Sequence, residues 1–64
     1  MQLPIRLDHF LQHCGLAQTG GHAKLLIQNE EVSVNGEVET RRRRKLHQGD
    51  VVSCQDKQIR VEQS

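Results

Sequence analysis

The hydrophobic period changes once along this chain, at Glu31, and that change limits the folds open to it. Before it, apolar residues recur at helical spacing: Leu7, Phe10, Leu11 and Cys14 fall at i, i+3, i+4 and i+7, and Ala23, Leu26 and Ile27 at i, i+3 and i+4. After it, Val32 and Val34 alternate with Ser33, Asn35-Gly36 gives a strong two-residue hairpin signal, and Val38 continues the alternation on the returning arm. Gly49-Asp50 then turns into Val51-Val52-Ser53-Cys54, and Gln55-Asp56-Lys57 turns again into a run with Ile59 and Val61 on one face. Strands this short cannot stand alone. The pattern predicts an α+β domain in which two N-terminal helices pack on one face of a small antiparallel sheet.

Helix ends are marked as well. Pro4 disfavours a helix before it and tolerates one just after; Asp8 suits the dipole of a first turn, and Gly15 stands where a left-handed C-terminal cap would sit. Thr19 is the N-cap of the second helix, which Gly20 and Gly21 open. The expected core is Leu7, Phe10, Leu11, Ala23, Leu26, Ile27, Val32, Val34, Leu46, Val52, Ile59 and Val61. His9 and His13 share the opposite, wet face of the first helix; their spacing suits a metal, but no third ligand is near in sequence, so solvated histidines and no metal site are expected.

Length fixes the scale: 64 residues make one domain, 1–64, in which about 60% of the unfolded chain's surface is buried, leaving little room for a large pocket. With one aromatic, Phe10, the chain offers no platform for stacking exposed bases. Cys14 and Cys54 read as small buried hydrophobes with free thiols, since nothing resembles a secretory signal. No apolar run approaches the roughly 18 residues of a membrane span. A soluble cytoplasmic protein without cofactor or small-molecule substrate is expected.

Charge is informative by its distribution. Thr40-Arg41-Arg42-Arg43-Arg44-Lys45 holds five of the nine Lys and Arg residues in a chain whose net charge is only +1, and folded-looking segments stand on both sides of it. Such a run reads as a rigidly presented patch for a polyanion, against the plainer reading of a solvated loop. Arginine at four of the five positions favours bidentate contacts to phosphates. Gly20 and Gly21 raise a second question, because each lowers helix stability by about 1 kcal/mol relative to Ala. Free N–H groups there, with Lys24 one turn on, would make an anion site; a tight turn between the helices explains the glycines equally well. The Gly-Lys-Ser/Thr ending of a Walker loop is missing.

The pattern Ala23-x-x-Leu26-Ile27, Val32-x-Val34-Asn35-Gly36, Gly49-Asp50-Val51-Val52 resembles the S4 RNA-binding domain, over roughly Leu7 to Cys54. Leu7-Asp8 with Phe10-Leu11, Thr19-Gly20-Gly21, the stretch from Val32 to Arg42, and Lys45-Leu46 with Gly49-Asp50 resemble the small bacterial proteins built of one S4 domain, the YbcJ type. The resemblance implies a surface of the αL type that presents a basic face to structured RNA, of the ribosomal or transfer class. It assigns Thr19, Gly20, Gly21 and Lys24 to the start of the second helix, and Arg41, Arg42, Arg43, Arg44 and Lys45 to the basic face. Many S4 domains carry a Ser-Arg pair where this chain has Thr19-Gly20-Gly21, leaving the glycine backbone to take its place. A second reading, from another class, is a protein-interaction domain docking on an acidic partner in a ribosome-associated assembly. Catalysis is not expected: His22 and His47 flank the two binding segments, but no carboxylate or thiol stands beside either at a recognisable catalytic spacing.

Overall fold

A computed structural model of the chain describes residues 1–63. Two helices, α1 (Leu7–His13) and α2 (Gly20–Gln28), precede most of the strands. Leu7, Phe10 and Leu11 of α1 and Ala23, Leu26 and Ile27 of α2 are buried in one core, as their spacing requires. Gly15, at φ +81°, follows the C-terminal turn of α1 in the left-handed conformation that glycine adopts at least cost. Thr19 caps α2 by accepting the His22 backbone N–H at 3.0 Å, and the ring Nδ1 of His22 accepts the Gln18 N–H at 3.2 Å. The Thr19 bond is the N-cap half of a capping box, whereas the His22 ring reaches one residue further back, to the N–H of Gln18 rather than that of Thr19. Thr19→Ala is expected to lower stability by about 1 kcal/mol, read as a shift of the urea midpoint.

The strands form a sheet in the order β3-β2-β5-β6, from β2 (Val32–Val34), β3 (Glu37–Val38), β5 (Val51–Cys54) and β6 (Lys57–Arg60), with all neighbours antiparallel. Register sets Val34 opposite Val52 and Val32 opposite Cys54, so these four side chains are buried together. Of the expected core only Ile59 departs: it is half-buried because β6 is an edge strand. Ala17, in the connection between the helices, is buried beyond expectation, with its N–H donated to the Leu11 carbonyl at 3.0 Å. Both thiols are free; Cys54 is buried and Cys14 half-buried, and burial pushes each upward in pKa.

Two features go beyond the sequence reading. First, Ile5–Arg6 (β1) and Lys45–Leu46 (β4) pair as an antiparallel ribbon beside the main sheet, so the basic run ends in a strand. Second, the register of the hairpin places Glu39, which the sequence reading left unassigned, on the core side. The two-residue Asn35-Gly36 turn pairs Val34 with Glu37 and Ser33 with Val38, and directly opposed residues share a face. Val38 therefore lies with Ser33 on the outer side and is 53% exposed, whereas Glu39 falls on the side of Val32 and Val34 and is 6% exposed.

Candidate nucleic-acid interface

Helix α1 begins without a side-chain cap, since its N-cap residue is Arg6. Its first N–H groups find partners in the basic run instead: Leu7 donates to the Arg44 carbonyl at 2.8 Å and Asp8 to the Arg42 carbonyl at 3.1 Å. Both carbonyls sit where the helix start favours negative charge. The Arg44 N–H closes a turn onto the Arg41 carbonyl at 3.3 Å, and the Leu46–Ile5 and Lys45–Arg6 pairing fixes the far end. The backbone of the run is thus docked on the domain, while Arg41, Arg42, Arg43 and Lys45 are exposed and Arg44 is half-buried. Arg41 to Arg44 line a shallow, open concavity of about 400 Å³.

The five cations are not equivalent. The buried Glu39 carboxylate accepts four hydrogen bonds: Oε2 takes the Arg41 backbone N–H at 3.0 Å and Arg41 Nε at 3.1 Å, and Oε1 takes Arg41 Nη2 at 3.1 Å and Arg44 Nη1 at 2.9 Å. The Arg41 side-chain bonds, against the opposing effect of burial and aided by Arg44, hold the carboxyl down at about 2. No hydrogen bond or ion pair of the Arg42, Arg43 or Lys45 side chain occurs among the described residues. A second pair of the same kind stands at the start of α1, where Arg6 donates from Nε and Nη2 to the two oxygens of Asp8 at 3.1 and 2.6 Å. Burial raises the Asp8 carboxyl, but these bonds and the His9 N–H bring it net below its ordinary value.

The other predicted segment opens α2. Thr19, Gly20, Gly21 and Lys24 are all exposed. Neither glycine has a positive φ; a Cβ at Gly20 would meet Gln12 Nε2 at 3.5 Å and one at Gly21 only Thr19 Oγ1 at 3.9 Å. Neither position is therefore held to glycine by a positive φ or by lack of room for a Cβ. No hydrogen bond or ion pair among the described residues joins this segment to the basic run; α1 lies between them, meeting the run at Leu7 and Asp8 and the start of α2 at Gln12. Those contacts stand roughly 6–8 Å apart along the α1 axis at 1.5 Å per residue.

The Asn-Gly and Gly-Asp turns are joined to each other, which sequence reasoning missed. Asn35 Oδ1 accepts the Val51 N–H at 2.9 Å, Asn35 Nδ2 donates to Asp50 Oδ1 at 3.2 Å, and Asp50 Oδ2 accepts the His47 N–H at 2.8 Å. The His47 N–H, opposed by burial and aided by Asn35, lowers the Asp50 carboxyl. Among the described residues, no three His, Cys, Asp or Glu side chains are grouped to hold a metal ion, and no helix is long and apolar enough to cross a membrane.

Residues 2–62 match the S4 domain family, and the chain belongs to it; its two helices and small antiparallel sheets are consistent with that fold. A relative is the probable ribosome maturation protein RlbA of Bacillus subtilis (strain 168), 45% identical over 51 residues that span 80% of this chain and 72% of that protein.

Proposed function

We propose that this chain is a non-catalytic, cytoplasmic RNA-binding module that recognises structured RNA of the ribosomal or transfer class. The observation that carries the reading is the docking of the Arg41–Lys45 backbone on the amides of α1, which holds the main chain of the basic run at the surface with little backbone freedom left to lose on binding. Arg42, Arg43 and Lys45 supply charge to phosphates, and the α2 start adds the Gly20 and Gly21 N–H groups and Lys24. Contacts of this kind fix register on a backbone shape and carry little base specificity, as suits an A-form helix with a narrow major groove. The RlbA likeness supports a ribosomal RNA as the target.

Affinity for a hairpin RNA is expected to fall steeply with salt, with a log–log slope on the order of −3 to −4 for four phosphate contacts by analogy with duplex DNA. Replacing Arg42 and Arg43 with Ala should weaken binding and reduce that slope by about one to two, leaving stability within about 0.5 kcal/mol because both side chains are exposed and unpaired. Gly21→Asp should weaken binding separately while mildly favouring the helix through its dipole. Fluorescence anisotropy across salt, with circular dichroism as the folding control, measures all three. Unchanged affinity in the double-arginine variant would return the run to a solvated loop. Equal competition by single-stranded RNA would instead favour docking on an acidic protein.

A further inference from the structure

A buried carboxylate in the middle of an RNA-binding face is an electrostatic contradiction, since Glu39 cancels one of the charges that the face is built to present. Its geometry resolves the contradiction. Glu39 meets Arg41 side-on, taking Nε–H and one Nη2–H with its two oxygens. A guanidinium has a second bidentate edge, formed by Nη1 and the remaining Nη2 hydrogen, and that edge is unused among the described residues. The Arg41 side chain is 74% exposed, yet one of its edges and its own backbone N–H are fixed to a carboxylate only 8% exposed. An exposed arginine elsewhere on a surface samples many rotamers; this one is held by the fold.

We propose that Glu39 is the positioning residue of the interface: it grips Arg41 by one edge of the guanidinium and so presents the opposite edge to a phosphate of structured RNA. The proposal rests on the RNA-binding reading above. Its support is the direct backbone and side-chain grip on Arg41, together with the bond from Arg44 Nη1 to the same Oε1 at 2.9 Å, which locks the carboxylate itself. Arg44 acts as the brace, and Arg41 as the presented donor.

Charge counting and positioning predict opposite signs for one substitution. Glu39→Gln removes a negative charge, so a face that works by charge alone should bind RNA more tightly and with a steeper salt slope. A face that works by positioning should bind a labelled hairpin RNA about fivefold or more weakly, the loss expected when one charge-assisted bidentate contact is disordered. Arg41→Lys keeps the charge and loses the fork, and should weaken binding to a similar degree. The double variant should bind little more weakly than either single one, because both remove the same contact. Anisotropy titrations on the full chain, with circular dichroism at the assay temperature, give these values. The Arg41 Nε–H resonance of the RNA-free protein, protected from water exchange in the wild type, should lose protection in Glu39→Gln. Equal or tighter binding by folded Glu39→Gln, unchanged binding by Arg41→Lys, or additive losses in the double variant would each overturn the proposal. Arg41→Lys carries the test by itself where Glu39→Gln does not fold. Wild-type protein that fails to bind the hairpin would overturn the RNA-binding reading as well, whereas the variant outcomes overturn the positioning role alone.

Discussion

Phe10→Ala is expected to lower the free energy of unfolding by about 3 to 5 kcal/mol, through lost transfer energy and the cavity left behind. Phe10 is 2% exposed and belongs to the core shared by both helices and the main sheet. A chain of this size has on the order of 3 to 10 kcal/mol of total stability, at roughly 0.05 to 0.15 kcal/mol per residue, so the substitution removes about three-tenths of it at the least. With a denaturant slope of about 1 kcal/mol per molar urea, the midpoint should fall by about 3 M or the protein should unfold outright. Leu25→Ala is the contrasting case: this leucine, on the same pair of helices, is 57% exposed and should change stability by within about 0.5 kcal/mol. A midpoint that moves equally for both would mean that the apolar stripe of α1 does not face the core.

That stripe illustrates what a sequence of this kind discloses. Phe10, Leu26 and Val34 could be placed because each belongs to a period that only one secondary structure satisfies, and Thr19 and Gly15 because caps have few chemical solutions. The β1–β4 ribbon was hidden because two residues per strand are too few to show a period, and Ile5-Arg6 pairs with a segment 40 residues away. The bond between Asn35 and Asp50 was hidden for a related reason: a turn signal reports local φ and ψ, not where an amide side chain reaches. Glu39 is different, because the signal was present. A two-residue turn fixes Val34 opposite Glu37, so parity alone puts Glu39 on the core side and Val38 on the outer side; reading alternation along one strand without the turn's register left Glu39 unplaced. What parity could not disclose is how a carboxylate survives there. That needs Arg41 and Arg44 to fold back over it, which depends on the turn docked at the start of α1.

Acidification should expose that arrangement as a loss of stability confined to low pH. The Glu39 carboxyl is held at about 2, against an ordinary 4.5, so the unfolded chain binds its proton more readily than the folded one. A group lowered in this way contributes stability that is fully present above about 4.5 and is lost as the pH falls through 2. The contribution is about 2 to 3 kcal/mol, somewhat below the full value of the shift because its partner Arg41 stands in water. Asp8 and Asp50 are lowered below 3.8 as well, by Arg6 and by the His47 amide, and act in the same direction over the lower part of the window. Urea midpoints of the wild type should therefore show no pH dependence from these three groups between pH 7 and about 5.5, where their contribution is complete, and should fall steadily from there to pH 2. Glu39→Gln should start lower at pH 7 and fall less, so that the two curves converge at the acid end. Parallel curves would mean that Arg41 and Arg44 do not bind the carboxylate in the folded state. Because the whole transition of Glu39 lies below 4.5, its grip on the arginines is complete at neutral pH. Any change in RNA affinity between pH 6 and 8 must then originate outside this carboxylate, and a Glu39→Gln variant measured over that range should show a constant ratio to the wild type.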